Sequence, residues 1–469
     1  MGATASHAPS ATARLPAVVP GTRALVLACL ALACLSLLGP FAMSYDPWGW
    51  LVWGREVTQL SLDTTGGPSW KPLPVLFTTA LAPLGDAAPT LWMVLARAGG
   101  LLGLVAAFRL ATRCAGPAAG VVACLALLLT PDDAVGWMRN MVQGNIEPLL
   151  IGLCLWAVER HLDGHRGQAL ALGVLAALAR PEVWPFLGLY AAWLWWEDPR
   201  ARWLVAVLLP LVPLLWFGGD WWGSGDPLTG GDRARVVEED DELVAQALQR
   251  GLEAVILPVW LAALSVVALG VRRREHLVSA LGVGALGWIA LVVGMTVVFD
   301  FAALPRFYAP AAALLCVLAA IGLVRLVRAP ARVPARVALG VALVAVTAPF
   351  ALPRLVALQT QPIRASSQAP LQADLGVALG RAGGPSAVAG CGALAIDGSY
   401  HSAQPALAWA LGVPMDRVER RIGEQPGVVF ALAGNARAQR LAASPRARPL
   451  ARTERWSVFA VECRPRAGR

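Results

Sequence analysis

The sequence has little charge for its length, and its basic side chains are almost all arginine. Only 15% of the 469 residues are charged, against about 25% in a typical soluble domain. Lys71 is the only lysine among 39 basic residues, so arginine is the default cation of this chain. The basic residues lie between apolar runs or in the C-terminal region rather than in one compact domain, which argues against a nucleic-acid-binding protein.

Several other patterns are missing. No Cys-x-x-Cys spacing and no histidine and cysteine cluster is present, which argues against a structural zinc site. No unit of roughly 20–50 residues recurs, so a repeat architecture is not indicated. The alternating polar and apolar pattern of a transmembrane β-barrel is absent as well.

The sequence has instead a series of long apolar runs. Hydrophobic residues make up 57% of the chain, and several runs approach the roughly 20 residues that a spanning helix needs. Backbone groups in lipid must be satisfied internally, so we expect these runs to be helices. They predict a polytopic α-helical membrane protein of about eleven spans, near residues 23–42, 88–108, 117–131, 145–159, 168–180, 183–196, 203–219, 252–270, 277–299, 308–324 and 337–352. Residues 72–84 are interpreted as a re-entrant or interfacial helix, or as another span.

The arginines indicate the orientation of these spans. With a cytoplasmic N-terminus, the predicted inner loops carry fifteen arginines, and the much longer outer loops before the tail carry eight basic residues. This is the positive-inside bias. An odd number of spans then places the C-terminal region outside the cytoplasm.

The composition changes after residue 352, where polar sequence replaces the apolar runs. We predict a disordered cytoplasmic N-terminus (1–22), a transmembrane domain (23–352) with outer loops 43–87 and 219–251, and a small extracytoplasmic α/β domain (353–469). The second outer loop ends in an amphipathic helix that starts near Glu238, and its acidic run is interpreted as a solvated face rather than a metal site. Cys391 and Cys463 are the only cysteines of the last domain, and outside the cytoplasm we expect them to form a disulfide.

Ionisable residues at the level of the membrane are costly and are therefore candidates for function. Asp46 follows the first span and precedes Pro47, so it is either the cap of a short helix or part of a site, and the two roles are compatible. Lys71 is interpreted either as a snorkelling interfacial side chain or as a compact charge that pairs with a phosphate.

Further polar residues are predicted at the same outer face. Arg139, Gln143 and Glu147 share one face of a helix, which indicates either a cavity or a structural network between helices. Arg180 and Glu182 flank a proline, where they form either a charged turn or part of a site. The complete set of candidates is Asp46, Arg55, Glu56, Asp63, Lys71, Arg139, Glu147, Arg180, Glu182 and Arg306. Together they offer carboxylates as bases and cations for the phosphate of a lipid.

These features resemble the GT-C superfamily of membrane glycosyltransferases, which take sugars from polyprenyl phosphate. The resemblance covers residues 23–352 in architecture and rests on short segments, which are similar to those of actinobacterial, mannosyltransferase-like members: 45–48, 53–56, 144–148, 180–182 and 305–308. The chain departs from the pattern because the first loop has no adjacent acidic pair and no Asp-x-Asp occurs.

The resemblance implies an inverting transfer in a bacterial plasma membrane, from a polyprenyl-phosphate hexose or pentose to a glycan, lipid or protein acceptor that the C-terminal domain helps to position. Asp46 would be the general base, while Lys71, Arg139, Arg180 and Arg306 would bind the donor phosphate. Arg55, Glu56, Asp63, Glu147 and Glu182 would support them. No firm cofactor and no metal ligand is implied, and the use of a divalent cation stays open.

Two other functions compete with this one. A transporter would predict paired inverted repeats and polar residues near the middle of the membrane. A non-catalytic scaffold of cell-envelope glycan assembly would tolerate replacement of Asp46, Lys71 and Arg180 together.

Overall fold

The computed structural model describes residues 22–130, 136–235, 242–397, 400–420 and 426–463. The predicted disordered N-terminus lies almost entirely outside the described residues, and so do residues 238–241 of the acidic run.

The apolar runs of the sequence form the helices of a membrane domain. Proline occupies one of the first two positions of many of them, where its missing N–H costs nothing. The helices are α1 (Thr22–Ser36), α2 (Tyr45–Thr58), α3 (Pro72–Leu81), α4 (Ala88–Ala115), α5 (Pro117–Leu128), α6 (Trp137–Gln143), α7 (Glu147–Leu162), α8 (Arg166–Ala179), α9 (Trp184–Glu197), α10 (Arg202–Ser224), α11 (Thr229–Asp232), α12 (Leu243–Glu253), α13 (Leu257–Arg272), α14 (His276–Phe299), α15 (Ala309–Arg328) and α16 (Val333–Arg381).

Within the described residues, five helical stretches are individually long and apolar enough to cross a membrane, and up to seven are if each of two bent pairs counts as one span. The bent pairs are α6 with α7 and α12 with α13, and α1, α5 and α8 are shorter apolar helices. The segment 72–84 is helical and leads through a 3-10 turn into α4, so the stretch Pro72–Ala115 is one candidate span. The number of eleven spans stays a prediction.

Helix α16 links the membrane domain to the C-terminal region. It runs for 49 residues, or about 74 Å at the usual rise, which is more than twice the hydrocarbon thickness of roughly 30 Å. The predicted boundary after residue 352 falls inside this helix, because its polar second half continues the helical hydrogen bonding of the apolar first half.

The C-terminal region forms the small α/β domain that the sequence predicts. Its sheet has the order β2-β1-β3-β5-β4, in which β1 is parallel to β2 and β3, and β5 is antiparallel to β3 and β4. Its elements are α17 (Gly384–Ala389), β1 (Ala393–Ile396), α18 (Ala403–Leu411), β2 (Val418–Glu419), β3 (Gly427–Leu432), α19 (Ala436–Ala443), β4 (Ala447–Arg452) and β5 (Trp456–Val461). A disulfide joins Cys391, before β1, to Cys463, after β5.

The α/β domain docks on α2, the helix that carries Asp46. The Arg55 guanidinium donates to the carbonyl oxygens of Trp409 and Val413, both at 2.9 Å, and lies 5.3 Å from the centre of the Trp409 ring. Helix α2 therefore packs against the membrane helices α3 and α4 and also contacts the α/β domain.

Candidate active site

The start of α2 is fixed by residues distant in sequence rather than by a local cap. The Ser44 hydroxyl donates to Oδ1 of Asn145 at 2.6 Å instead of capping the helix, and the Ser44 N–H donates to the Gln143 carbonyl. Because α2 begins at Tyr45, two residues before the start that a cap at Asp46 would give, Asp46 lies in the first turn and is not the cap. A carboxylate in this position is favoured by the helix dipole.

Two cations converge on one oxygen of Asp46. Nζ of Lys71 lies 3.4 Å from Oδ2, and NH1 of Arg306 lies 3.3 Å from the same atom. No described residue donates a hydrogen bond to Oδ1. Burial alone would raise the pKa of Asp46, but the Lys71 ammonium and the Arg306 guanidinium outweigh it and hold the pKa below its usual value. The carboxylate is therefore ionised at neutral pH, with one oxygen free to accept a proton.

Each of the two cations is held by its own element. Lys71 precedes Pro72, the first residue of α3, and its ammonium lies 5.4 Å from the centre of the Trp50 ring on α2. Arg306 belongs to the 3-10 turn Pro305–Tyr308 before α15. The Lys71 side chain is 8% exposed and that of Arg306 is 39% exposed, so Arg306 forms the accessible side of the cluster.

A second ionic cluster lies against the first. Arg180 donates to Glu147 at 3.0 Å and to Glu182 at 3.1 Å, with all three side chains at most 5% exposed. The Arg180 guanidinium also lies 4.4 Å from the centre of the Phe307 ring, next to Arg306 in sequence. Because both carboxylates of this buried triad are paired with the one guanidinium, Arg180 serves chiefly to neutralise them beneath the site.

Four other candidates lie elsewhere. Arg139 donates to Gln143 at 3.4 Å and lines a separate polar cleft of about 230 Å³ with Arg364 of α16. Arg55 docks the α/β domain. Glu56 is buried and accepts the backbone N–H of Asp63, whose own carboxylate accepts from Thr65. The structure therefore groups Asp46, Lys71 and Arg306 at one point, with Arg180, Glu147 and Glu182 behind them.

The site also contains residues that the sequence did not indicate. The rings of Tyr45 and His401 stack with centres 4.7 Å apart, and the Arg420 guanidinium lies 4.7 Å from the centre of the Tyr45 ring. Arg233 holds the loop before Lys71 by donating to the carbonyl of Thr64 at 2.6 Å and to that of Pro68 at 3.1 Å. No sequence pattern links these residues, since His401 and Arg420 belong to loops of the α/β domain. The position of Tyr45 beside Asp46 was the only signal.

An apolar cavity of about 840 Å³ lies within the membrane domain. Val183 and Pro310 line one end, each a few residues from the ionic clusters, and His161 and His276 line the other end. The walls between them come from α7, α8, α9, α14 and α15 and are almost entirely apolar. Such a cavity accepts a hydrocarbon chain and excludes charged groups.

Among the described residues, no three histidine, cysteine, aspartate or glutamate side chains come close enough together to hold a metal ion.

The fold and the site define a class of protein, namely a helical membrane protein with a charged site where its bundle meets an α/β domain. No family profile and no curated protein sequence matches the chain. Among solved structures, it is similar to ArnT from Cupriavidus metallidurans bound to undecaprenyl phosphate, with a TM-score of 0.59 and 17% identity over 94% of this chain and 98% of that one. The apo state of ArnT gives a TM-score of 0.57 with the same identity and coverage. This likeness shows the fold, and it confirms the predicted architecture of a helical membrane domain with a small C-terminal α/β domain.

Proposed function

We propose that the protein is a membrane glycosyltransferase that moves a sugar from a polyprenyl-phosphate donor to an extracytoplasmic acceptor, with inversion. The observation that carries the proposal is the convergence of Lys71 and Arg306 on one oxygen of Asp46 while the other oxygen stays free. The two cations would bind the phosphate, and the free oxygen would take up a proton. The likeness to a structure that contains undecaprenyl phosphate supports this class of donor.

The reaction is a single displacement. The acceptor hydroxyl attacks the anomeric carbon while the bond from this carbon to the phosphate oxygen breaks, and the acceptor proton passes to Oδ1 of Asp46. The leaving group is polyprenyl phosphate, whose developing negative charge would be stabilised by Lys71 and Arg306. One displacement inverts the anomeric centre, and the products are the glycosylated acceptor and the free lipid phosphate.

The surroundings of the site would accommodate the prenyl chain and the phosphate of this donor, as well as the acceptor. The apolar cavity next to Val183 and Pro310 would hold a length of the prenyl chain. The α/β domain, which contacts Tyr45 through His401 and Arg420, would receive the acceptor. Arg306 is the more exposed cation and would meet the phosphate first, and Lys71 would neutralise it at depth.

The proposal also assigns an orientation. The positive-inside bias of the loops supports a cytoplasmic N-terminus, and it puts Asp46 and the α/β domain outside the cytoplasm. The plasma membrane of a bacterium is the expected location, since the sequence segments resemble bacterial members of the superfamily.

The test is a transfer assay with wild-type protein and an Asp46→Asn variant in membranes, using labelled undecaprenyl-phosphate hexoses and pentoses. We expect transfer by the wild type and a loss of about 100-fold or more in the variant. Asp86→Asn makes the same chemical change at an exposed carboxylate and should retain activity. An Asp46→Asn variant that keeps full activity, or a wild type that transfers none of these sugars, contradicts the proposal.

A further inference from the structure

The α/β domain makes a compact set of contacts with the residue that precedes Asp46. His401, after β1, stacks on the Tyr45 ring, and Arg420, after β2, lies over the same ring. These residues come from two different loops of one domain, and both reach across to the first turn of α2. We call Tyr45, His401, Gln404 and Arg420 the Tyr45 clamp.

Gln404 of α18 joins the parts of the clamp. Its Oε1 accepts from the Arg420 Nε at 2.7 Å and from the Tyr45 hydroxyl at 3.4 Å. Its Nε2 donates to the carbonyls of Val418 at 2.7 Å and Met415 at 3.3 Å, so the amide is tied to the chain around β2. The side chains that meet Tyr45 are therefore fixed within the α/β domain.

The Tyr45 clamp is important because no side-chain cap of its own fixes the first turn of α2. Ser44 makes no cap bond, and its groups bind the junction of α6 and α7 instead. The Met43 carbonyl accepts from Gln372, in the polar second half of α16. The orientation of the Asp46 side chain is thus set by contacts of the residues just before it. Those of Tyr45 are made with the α/β domain.

We propose that the Tyr45 clamp positions Asp46, so that the α/β domain is a structural part of the catalytic site rather than a separate module. His401 and Arg420 act on the reaction through Tyr45 and touch no reacting atom. This inference rests on the proposed function for its effect on transfer, but the clamp itself can be measured without activity. A displacement of the base by about 1 Å costs roughly 100-fold in rate.

The experiment compares His401→Ala with His401→Phe in full-length protein. Phenylalanine keeps a flat ring that stacks on Tyr45 but has no nitrogen to move a proton. We expect transfer by His401→Ala to fall by about 10- to 100-fold in kcat, with the KM for the donor changed less than threefold because Lys71 and Arg306 are intact. His401→Phe should restore at least half of the wild-type kcat and keep its pH profile.

Hydrogen exchange measured by mass spectrometry gives the readout that does not need activity. Peptides that cover residues 43–50 should exchange faster in His401→Ala than in the wild type and His401→Phe, while peptides of β3 and β5 should be unchanged in all three. Faster exchange of β3 and β5 in His401→Ala would show domain unfolding and overturn the positioning role.

Different results would contradict the proposed function and the Tyr45 clamp. If the wild type transfers no sugar but the exchange pattern is as expected, the proposed function fails and the clamp stands as a structural device. Unchanged exchange at 43–50 in His401→Ala overturns the clamp, and so does a His401→Phe variant as inactive as His401→Ala, because that result would assign the imidazole itself to the chemistry.

Discussion

Arg180 and Arg306 lie close to each other in the site, yet they differ in what their loss would do. Arg180 is buried between Glu147 and Glu182, whereas Arg306 is 39% exposed and faces Asp46. Their shared sequence context, an arginine beside a proline, does not reveal this difference. Burial and partners distinguish the arginine that stabilises the fold from the one that is available for the proposed reaction.

Arg180→Met should destabilise the protein strongly. The variant leaves two buried carboxylates without their cation, which costs roughly 3–5 kcal/mol, and we expect a large fall in the Tm of protein in detergent. Arg306→Met is the matched control, and it should keep its Tm while losing transfer.

A triple variant separates the effect of the unpaired buried charges on the Tm from the effect of losing the arginine side chain. Adding Glu147→Gln and Glu182→Gln to Arg180→Met removes the uncompensated charges and should recover a large part of the lost Tm. A single Arg180→Met variant as stable as the wild type would contradict the reading of the triad as a stabilising element.

Glu56 makes stability depend on pH. It is 2% exposed, and burial raises its pKa to about 7. In the unfolded chain the ordinary pKa is near 4.5, so between these two values the folded state binds more protons. Stability is therefore lost as the pH rises through this window, by at most about 3 kcal/mol.

Glu56→Gln should abolish most of this dependence. The amide oxygen still accepts the Asp63 N–H, and no charge has to be buried. We expect the variant to have a higher Tm than the wild type at pH 8 and a similar Tm at pH 5. Glu419→Gln, at an exposed position, should leave the pH dependence as it is, and a Glu56→Gln variant that is less stable at pH 8 would refute the prediction.

At the scale of elements, α12 has two apolar faces with different neighbours. Leu243, Ala247 and Gly251 are buried, and the Ala247 carbonyl accepts from the hydroxyl of Tyr308, two residues after Arg306, at 2.7 Å. Val244, Leu248 and Leu252 form an exposed apolar stripe. The axis of α12 turns by 80° from that of α13. An apolar stripe on a helix that turns away from a candidate span is typical of a helix that lies in the membrane interface.

We predict that lipid covers this stripe. A phospholipid with a photoactivatable group in its acyl chain should label Val244, Leu248 and Leu252 in preference to Gln249 and Glu253, as located by mass spectrometry. Equal labelling of both sets, or labelling of Gln249 and Glu253 alone, would place α12 away from the interface.

The sequence predicts the individual helices better than it predicts the contacts between them. The apolar runs locate the helices because an apolar run in lipid must be helical, and this constraint is local. Asp46, Lys71 and Arg306 could be selected because charge near lipid is costly. Their convergence on one oxygen could not be deduced, since 235 residues separate Lys71 from Arg306 and no alternating or helical period connects them. The same reason explains why the sequence did not indicate His401 and Arg420. It also explains why the sequence could not show that Arg139, a charged residue like the other candidates, lies in a different cleft.

At the scale of the whole molecule, the disulfide of the α/β domain reports on the compartment. Cys391 and Cys463 are 72 residues apart, so a bond between them constrains the unfolded chain by about 4 kcal/mol in the chain-entropy model. A bond of this kind persists outside the cytoplasm and is reduced within it.

We predict that alkylation before and after reduction, followed by mass spectrometry, will find Cys391 and Cys463 blocked in membranes from growing cells. Cys391→Ala with Cys463→Ala should lower the Tm, whereas Cys316→Ala, a buried cysteine without a disulfide, serves as the control for cavity effects. Freely alkylated Cys391 and Cys463 in untreated membranes would contradict the orientation proposed for the domain.

The scarcity of lysine gives the protein a chemical reporter of its own. Apart from the α-amino group, the ammonium of Lys71 is the only primary amine in the chain, and it lies at the centre of the charged site. An acylating reagent that reacts with amines can therefore mark the protein at one internal position, and the mass of the intact chain reads out how far that reaction has gone. Slower acylation in the presence of undecaprenyl phosphate would measure the occupancy of the site directly, without a label, a known acceptor or a completed transfer.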